Sequence, residues 1–165
     1  MGSGMRRGLI LWLALAALVV VLDQATKHWV LGSFRVMESL AVTSFFNLVL
    51  VFNPGASFSL LADAGGWQKW FFVVLALAIS AWLLHMLRQH AAERLLPTAL
   101  ALILGGALGN VIDRLRFDAV VDFLDFYAAG YHWPAFNLAD SAITLGVGLM
   151  LLHQFRCGKD GTPND

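Results

Sequence analysis

Four stretches of the chain carry no charged residue: Gly8 to Leu22, Trp70 to Leu87, Leu95 to Ile112 and Ser141 to Phe155. Each predicts a transmembrane helix. A span needs about 20 residues, range roughly 17–25. The two middle runs, at eighteen residues, nearly reach that length, and the outer two, at fifteen, do not. The first must therefore continue through Asp23 towards Lys27, and the last must begin near Ala135, which carries Asp140 below the membrane surface. Between the first two runs the period changes. Ser44 to Phe52 is rich in β-branched and aromatic residues and ends in the turn signal Asn53-Pro54-Gly55, which predicts a short strand or hairpin resting on the membrane. Leu115 to Pro134 reads as an acidic, aromatic connection holding Asp118, Asp122, Asp125 and His132. The pattern thus predicts an all-α membrane protein of four transmembrane helices with a small β element between helices 1 and 2.

Composition agrees. The 165 residues are 59% hydrophobic and 13% charged, with mean hydropathy +0.71, against roughly 45–50% apolar in soluble domains. One domain covering residues 1–165 fits the length, with residues 1–4 read as an added leader and 157–165 as a flexible cytoplasmic tail. Eleven basic and eleven acidic residues cancel, so nothing points to a nucleic-acid partner. The single Cys157 excludes an intrachain disulfide and has no ligand-spaced companion. Arg6 and Arg7 before an apolar run also fit a signal peptide, but no small-residue cleavage site follows. Asp23 and Lys27 instead sit at i and i+4 on one face of a continuing helix. Arg6, Arg7, Arg88, Arg94, Arg156 and Lys159 fall on the side of the termini, against five basic residues opposite, so both termini are placed in the cytoplasm. Trp29, Trp67, Trp70 and Trp133 near the outer ends, and Trp12 and Trp82 near the inner ends, match interfacial belts.

Ionisable groups in lipid are rare and usually functional, which singles out Asp140 and Asp122. Asp140 lies at the entrance of the last span, eighteen residues after Asp122, whose surroundings Val120-Val121-Asp122-Phe123-Leu124 are unusually apolar. Asp140 also has a capping role open to it, with Asn137 as N-cap. Asp118 and Asp125 read as solvated loop acids, and Asp113 as a partner of Arg114. Ala101, Gly105 and Gly109, at four-residue spacing beside Gly106, read as a helix-packing face. Asn110 follows one turn before Asp113 and Arg114 and supplies hydrogen-bonding groups at the depth of Asp140. Two facing buried carboxylates share one proton, so an acid and a base coexist and suit water attack on a peptide carbonyl. A metal site using Asp122, Asp140 and His132 stays open. So do a small proton-coupled channel or transporter and a non-enzymatic scaffold, although a relay would need an acid or base mid-membrane on the cytoplasmic half, and none lies there.

Five strings in order, Asp23-Gln24-x-x-Lys27, Asn53-x-Gly55-Ala56-x-Phe58, Gly105-Gly106-Ala107-Leu108-Gly109-Asn110-x-x-Asp113-Arg114, Val120-Val121-Asp122-Phe123 and Phe136-Asn137-x-Ala139-Asp140-Ser141, resemble the bacterial lipoprotein signal peptidase family, also called signal peptidase II. The resemblance implies an intramembrane aspartyl endopeptidase of the bacterial inner membrane, its active site near the extracytoplasmic face. It implies Asp122 and Asp140 as the catalytic pair, with no cofactor and no metal. The implied substrate is a prolipoprotein bearing diacylglycerol on its lipobox cysteine, cut just before that cysteine. By motif position Asp23, Lys27, Asn53, Gly55, Asn110, Arg114, Asn137 and Ala139 would shape the site and hold the substrate, and the family's β-cradle maps onto roughly Phe34 to Ser59. Membrane lipid is the other implied partner, and a monomer is the expected state. Pro54 departs from the family's usual Thr or Arg, which predicts a stiffer cradle.

Overall fold

The computed structural model of the chain describes residues 3–55 and 67–159. Ala56, Phe58 and the rest of positions 56–59, the end of the expected Phe34 to Ser59 cradle, lie outside the described residues, as do Met1, Gly2 and the last six positions of the tail. Among the described residues four helices are long and apolar enough to cross a membrane: α1 (Ser3–Ser33), α2 (Trp67–Gln89), α3 (Leu95–Phe117) and α4 (Leu138–Lys159). α1 runs on past Asp23 and Lys27 as its short apolar run required. α4 starts at Leu138 rather than near Ala135, and it extends through the part of the expected tail up to Lys159.

α3 is the centre of the bundle and packs on all three other helices. Its apolar window is 67% buried, against 11–22% for the others, which turn most of their surface outward. Lipid tails are as apolar as leucine, so helices associate here through close packing rather than a hydrophobic driving force. The small residues of α3 serve that contact. A Cβ on Gly106 would collide with the Ala139 carbonyl of α4, and one on Gly109 would stand 2.6 Å from an Asp23 carboxylate oxygen of α1. The buried positions of α1 are Ala16, Val19, Asp23, Lys27 and Val30. Their three- and four-residue spacing is one helix face, so this single stripe carries both apolar packing and two charges into the core.

The sheet expected between the first two helices is present as β1 (Ser39–Ala41) and β2 (Phe46–Asn53). Two further strands, β3 (Val120–Ala128) and β4 (Tyr131–His132), come from the α3–α4 connection, and all four pair antiparallel in the order β1-β2-β3-β4. β3 escaped the sequence reading because its run, Val-Val-Asp-Phe-Leu-Asp-Phe-Tyr, does not alternate cleanly: residues 120–123 are all buried. Val121 and Phe123 pack on Val30 and Leu50. Alternation then turns Asp122 to the opposite face.

Candidate active site

Asp122 on β3 and Asp140 in the first turn of α4 are gathered by three asparagines. Asn137 donates from Nδ2 to Asp122 Oδ1 at 2.7 Å, and its Oδ1 accepts the backbone N–H of Asp140 at 2.9 Å. Asp140 Oδ2 in turn accepts the Asn137 N–H at 3.3 Å. That reciprocal pair is a capping box, so the capping reading and the proximity of the two acids hold together. Asn110 on α3 donates to Asp140 Oδ1 at 2.8 Å, and Asn53 donates to Asp122 Oδ2 at 3.0 Å.

Two local devices make this geometry. Between the pairs Leu48↔Leu124 and Val51↔Asp122, β2 advances three residues while β3 advances two, a β-bulge. Without it Asp122 would face Leu50, with Phe52 diagonal to it. With it Val51 is opposite and Asn53 becomes the same-face diagonal neighbour. The second device is the strand-like pinning of Phe136 to β3. Phe136 O accepts the N–H of Leu124 at 2.8 Å, and its own N–H reaches Leu124 O at 3.1 Å. The residue before the α4 cap is thereby fixed to the strand that carries Asp122. The Asn53 side chain also accepts the Gly55 N–H at 3.0 Å, closing the turn over Pro54. Gly55 takes φ +98°, and the Phe72 ring fills the space where a Cβ would be. Pro54 lacks a backbone N–H, and the turn is closed by the N–H of Gly55 instead.

Beneath the asparagines lies a buried ionic cluster. Lys27 Nζ is 2.9 Å from Asp23, 2.7 Å from Asp113 and 3.1 Å from Asn110 Oδ1, and all its donors are used. Asp113 is therefore the partner of Lys27, not of Arg114. The i,i+1 spacing puts Asp113 and Arg114 on diverging sides of α3. Arg114 instead bonds the Asn110 carbonyl at 3.3 Å and lies over the Phe72 ring. Asp125 is also corrected. It is buried on β3, where Asn47 donates to it at 2.8 Å and the His132 ring nitrogen lies 2.9 Å away. Asp118 is exposed as expected and pairs with Lys69. His132 engages Asp125 rather than the Asp122–Asp140 pair. Among the described residues no three His, Cys, Asp or Glu side chains gather as a metal set.

Of the residues implied by resemblance, Asn53, Asn110 and Asn137 touch the two acids directly. Gly55 and Ala139 act through backbone, and Asp23 and Lys27 lie in the layer below. Sequence reasoning passed over Gln24, whose amide donates to Asp113 at 2.9 Å, to Gly109 O at 3.2 Å and to Asp23 at 3.2 Å. Its place between Asp23 and Lys27 in the first string was the available signal. Burial, outweighing the Asn53 bond and aided by nearby Asp140, pushes the Asp122 carboxyl up to about 7. Asp140 borders a cavity of about 780 Å³ lined also by Asn53, Trp133, Phe136 and Thr144. On the other side Asn110 and Arg114 end a narrower apolar groove of about 260 Å³ with Phe72, Leu75 and Ile79.

Four helices long and apolar enough to span a membrane, with a small sheet at one end, make a multi-pass membrane protein in which two acids, Asp122 and Asp140, are tied through Asn137. The chain belongs to the signal peptidase (SPase) II family, whose profile matches residues 15–156. It is similar to the lipoprotein signal peptidase of Azoarcus sp. strain BH72, 64% identical over 148 residues that cover 90% of this chain and 84% of the relative. The lipoprotein signal peptidase of Cupriavidus necator is 56% identical, with 89% and 84% covered. Two solved bacterial membrane enzymes share the fold. One has TM-score 0.81 and 30% identity over 93% of both chains, and the other 0.73 and 31% over 87% of this chain and 91% of its own.

Proposed function

We propose that Asp122 and Asp140 are the catalytic pair through which this chain removes signal peptides from prolipoproteins. The reading of a proton-coupled transporter is not favoured by the family. The observation that carries the assignment is Asn137: its side-chain amide donates to the Asp122 carboxylate and its backbone N–H to the Asp140 carboxylate, so a strand acid and a helix acid are held as one unit. A carboxyl near pKa 7 beside a second one is the arrangement in which a single proton is shared. Asp122, more buried than Asp140, is its seat. Ionised Asp140 takes a proton from a water as the water oxygen bonds to the scissile carbonyl carbon. Asp122 gives its proton to the carbonyl oxygen, forming a neutral diol. Collapse breaks the C–N bond, the leaving nitrogen takes the proton held by Asp140, and the diol proton returns to Asp122.

The substrate in this reading is a prolipoprotein whose cysteine bears diacylglycerol, cut just before that cysteine. The cavity beside Asp140 and the apolar groove below Arg114 offer places for polar backbone and for acyl or helical segments. Arg114, Asn53 and Gly55 border the substrate. The whole chain acts as one domain and as a monomer in the lipid of a bacterial inner membrane. Both termini face the cytoplasm, and the site lies at the extracytoplasmic face, where Trp29, Trp67, Trp70 and Trp133 are exposed. The test is cleavage of a diacylglyceryl-modified prolipoprotein by the purified protein. Asp122→Asn and Asp140→Asn should each be inactive while wild type stays active under strong chelation. Cleavage by either variant would remove the pair from the mechanism.

A further inference from the structure

The buried cluster below the acids has a symmetry that the reaction itself does not require. Asp23 Oδ1 accepts the N–H of Ala139 at 3.0 Å, and Ala139 is the residue before Asp140. Asp113 Oδ2 accepts the N–H of Val121 at 3.1 Å, and Val121 is the residue before Asp122. Each proposed catalytic aspartate therefore has its preceding peptide gripped by another aspartate. These two gripping carboxylates come from different helices, α1 and α3, and Lys27 joins them at 2.9 and 2.7 Å. The third Lys27 donor reaches Asn110 Oδ1, and Asn110 itself bonds Asp140. Gln24 bridges the same two carboxylates a second time through its amide.

We infer that Asp23, Lys27 and Asp113, with Gln24, form a positioning clamp that sets the spacing of Asp122 and Asp140, and that none of them holds substrate. Lys27 is 2% exposed, Asp23 0% and Asp113 1%, and none borders the cavity beside Asp140. Buried charges of this kind are poor sources of stability but fix one arrangement, because every alternative leaves a charge unpaired. Here the arrangement is the distance between two peptides, one on a strand and one at a helix start, that no direct backbone bond connects. The inference rests on the Asp122–Asp140 assignment and adds Asp113 and Gln24 to the residues that serve it.

The experiment is steady-state cleavage of the diacylglyceryl prolipoprotein by purified wild type, Gln24→Met and the double variant Lys27→Met with Asp113→Asn. Asp122→Asn and Asp140→Asn serve as controls. The double variant removes one charge of each sign and leaves the net charge of the cluster unchanged, with Asp23 keeping its Gln24 and Ala139 donors. A clamp predicts kcat lowered about tenfold or more in the double variant and severalfold in Gln24→Met, with KM within twofold of wild type. In Gln24→Met the alkaline limb of the pH–rate profile should also move to lower pH. The relaxed pair holds its shared proton less tightly among the groups around Asp122, namely Asp140, Asn53, Asn137, Lys27 and Arg114. Partial unfolding would scale the profile without moving it. A raised KM at constant kcat would make these residues substrate contacts, and wild-type kinetics would make them bystanders. Either result overturns the clamp. If the double variant does not fold, Gln24→Met alone decides by the same criteria. Active Asp122→Asn or Asp140→Asn controls would instead overturn the catalytic assignment on which the clamp rests.

Discussion

The half of the bundle away from the sheet and the half beside it are built on opposite principles. In the first, Ala16, Leu83, Leu87, Leu100 and Leu104 pack as an apolar cluster of α1, α2 and α3. Any well-fitting apolar set would serve, since dispersion is non-directional. In the second, the same α1 and α3 bury Asp23, Lys27, Asn110 and Asp113, and the cap before α4 and strand β3 add Asn137 and Asp122. Each of these groups has a named partner. The one orphaned buried side-chain atom among the described residues, Ser80 Oγ, is on α2 and outside the cluster. Satisfied polar networks specify geometry, and apolar cores specify mainly volume. One pair of helices thus supplies adhesion at one end and a rigid chemical frame at the other.

The widest separation between the halves comes from removing one of the two proposed catalytic acids. Asp140→Asn or Asp122→Asn should cut kcat by roughly 10²–10⁴-fold, the usual worth of a positioned acid or base. Neither should lower the melting temperature in detergent. Asp122→Asn should raise it at pH 8 more than at pH 5. The folded pKa of Asp122, about 7, lies above its ordinary value of 3.8, so folding holds a proton that the unfolded chain releases. The stability linked to that proton is complete below about pH 4 and is lost as pH rises through 7. A neutral amide removes the dependence. Equal shifts at both pH values would show that burial of Asp122 does not govern its titration. On the same grounds wild-type activity should decline above about pH 7.

A second contrast sets Leu100→Ala against Asn137→Ala. Leu100 is fully buried in the apolar half. Its truncation should cost about 2 kcal/mol, the low end of cavity penalties, because lipid offers an apolar alternative. Residual kcat and pH profile should stay near wild type. Asn137→Ala removes a helix cap worth roughly 1 kcal/mol, a similar or smaller loss, yet it unties Asp122 from Asp140 and should cut kcat by about 10²-fold. A Leu100→Ala variant that loses activity in proportion would mean that the halves are mechanically coupled and the distinction fails.

This division also decides what was legible in the sequence. The apolar half was read almost directly, because a run such as Leu95 to Ile112 has few conformations open to it in lipid. The acids Asp122 and Asp140 stood out by the cost of placing them there. The partners did not. Asp113 was matched with its neighbour Arg114, and only the fold shows Lys27 arriving from α1, eighty-six positions earlier in the chain. β3 was missed because its two faces are both covered, which removes the alternation that marks a half-exposed strand. The bulge that brings Asn53 to Asp122 leaves no sequence signal at all, since it is a property of pairing between two distant strands. Proximity in sequence served for caps and turns, as in Asn137 with Asp140 and Asn53 with Gly55, and failed wherever the partner came from another element.

The smallest expected effect tests whether burial, rather than charge, makes the sheet-side interactions matter. Lys69 at the start of α2 pairs with Asp118, just past the end of α3, at the sheet end of the bundle. Asp118 is 79% exposed, so water screens the pair and its worth should lie at about 0–1 kcal/mol. Asp118 also sits at φ 61°, a conformation that Asp and Asn tolerate better than most residues. Asp118→Asn therefore removes the charge without disturbing the backbone, and Lys69→Met removes the ammonium that lies over the Trp70 ring while keeping an unbranched apolar side chain. Both variants should melt within a degree or two of wild type and cleave substrate at the same rate, with differences shrinking further in high salt. The Lys27 pairs differ from this one mainly in burial. A costly Asp118→Asn, or one that alters kcat, would mean that electrostatics at this end act over longer range than contact and that the frame around Asp122 and Asp140 extends to the surface.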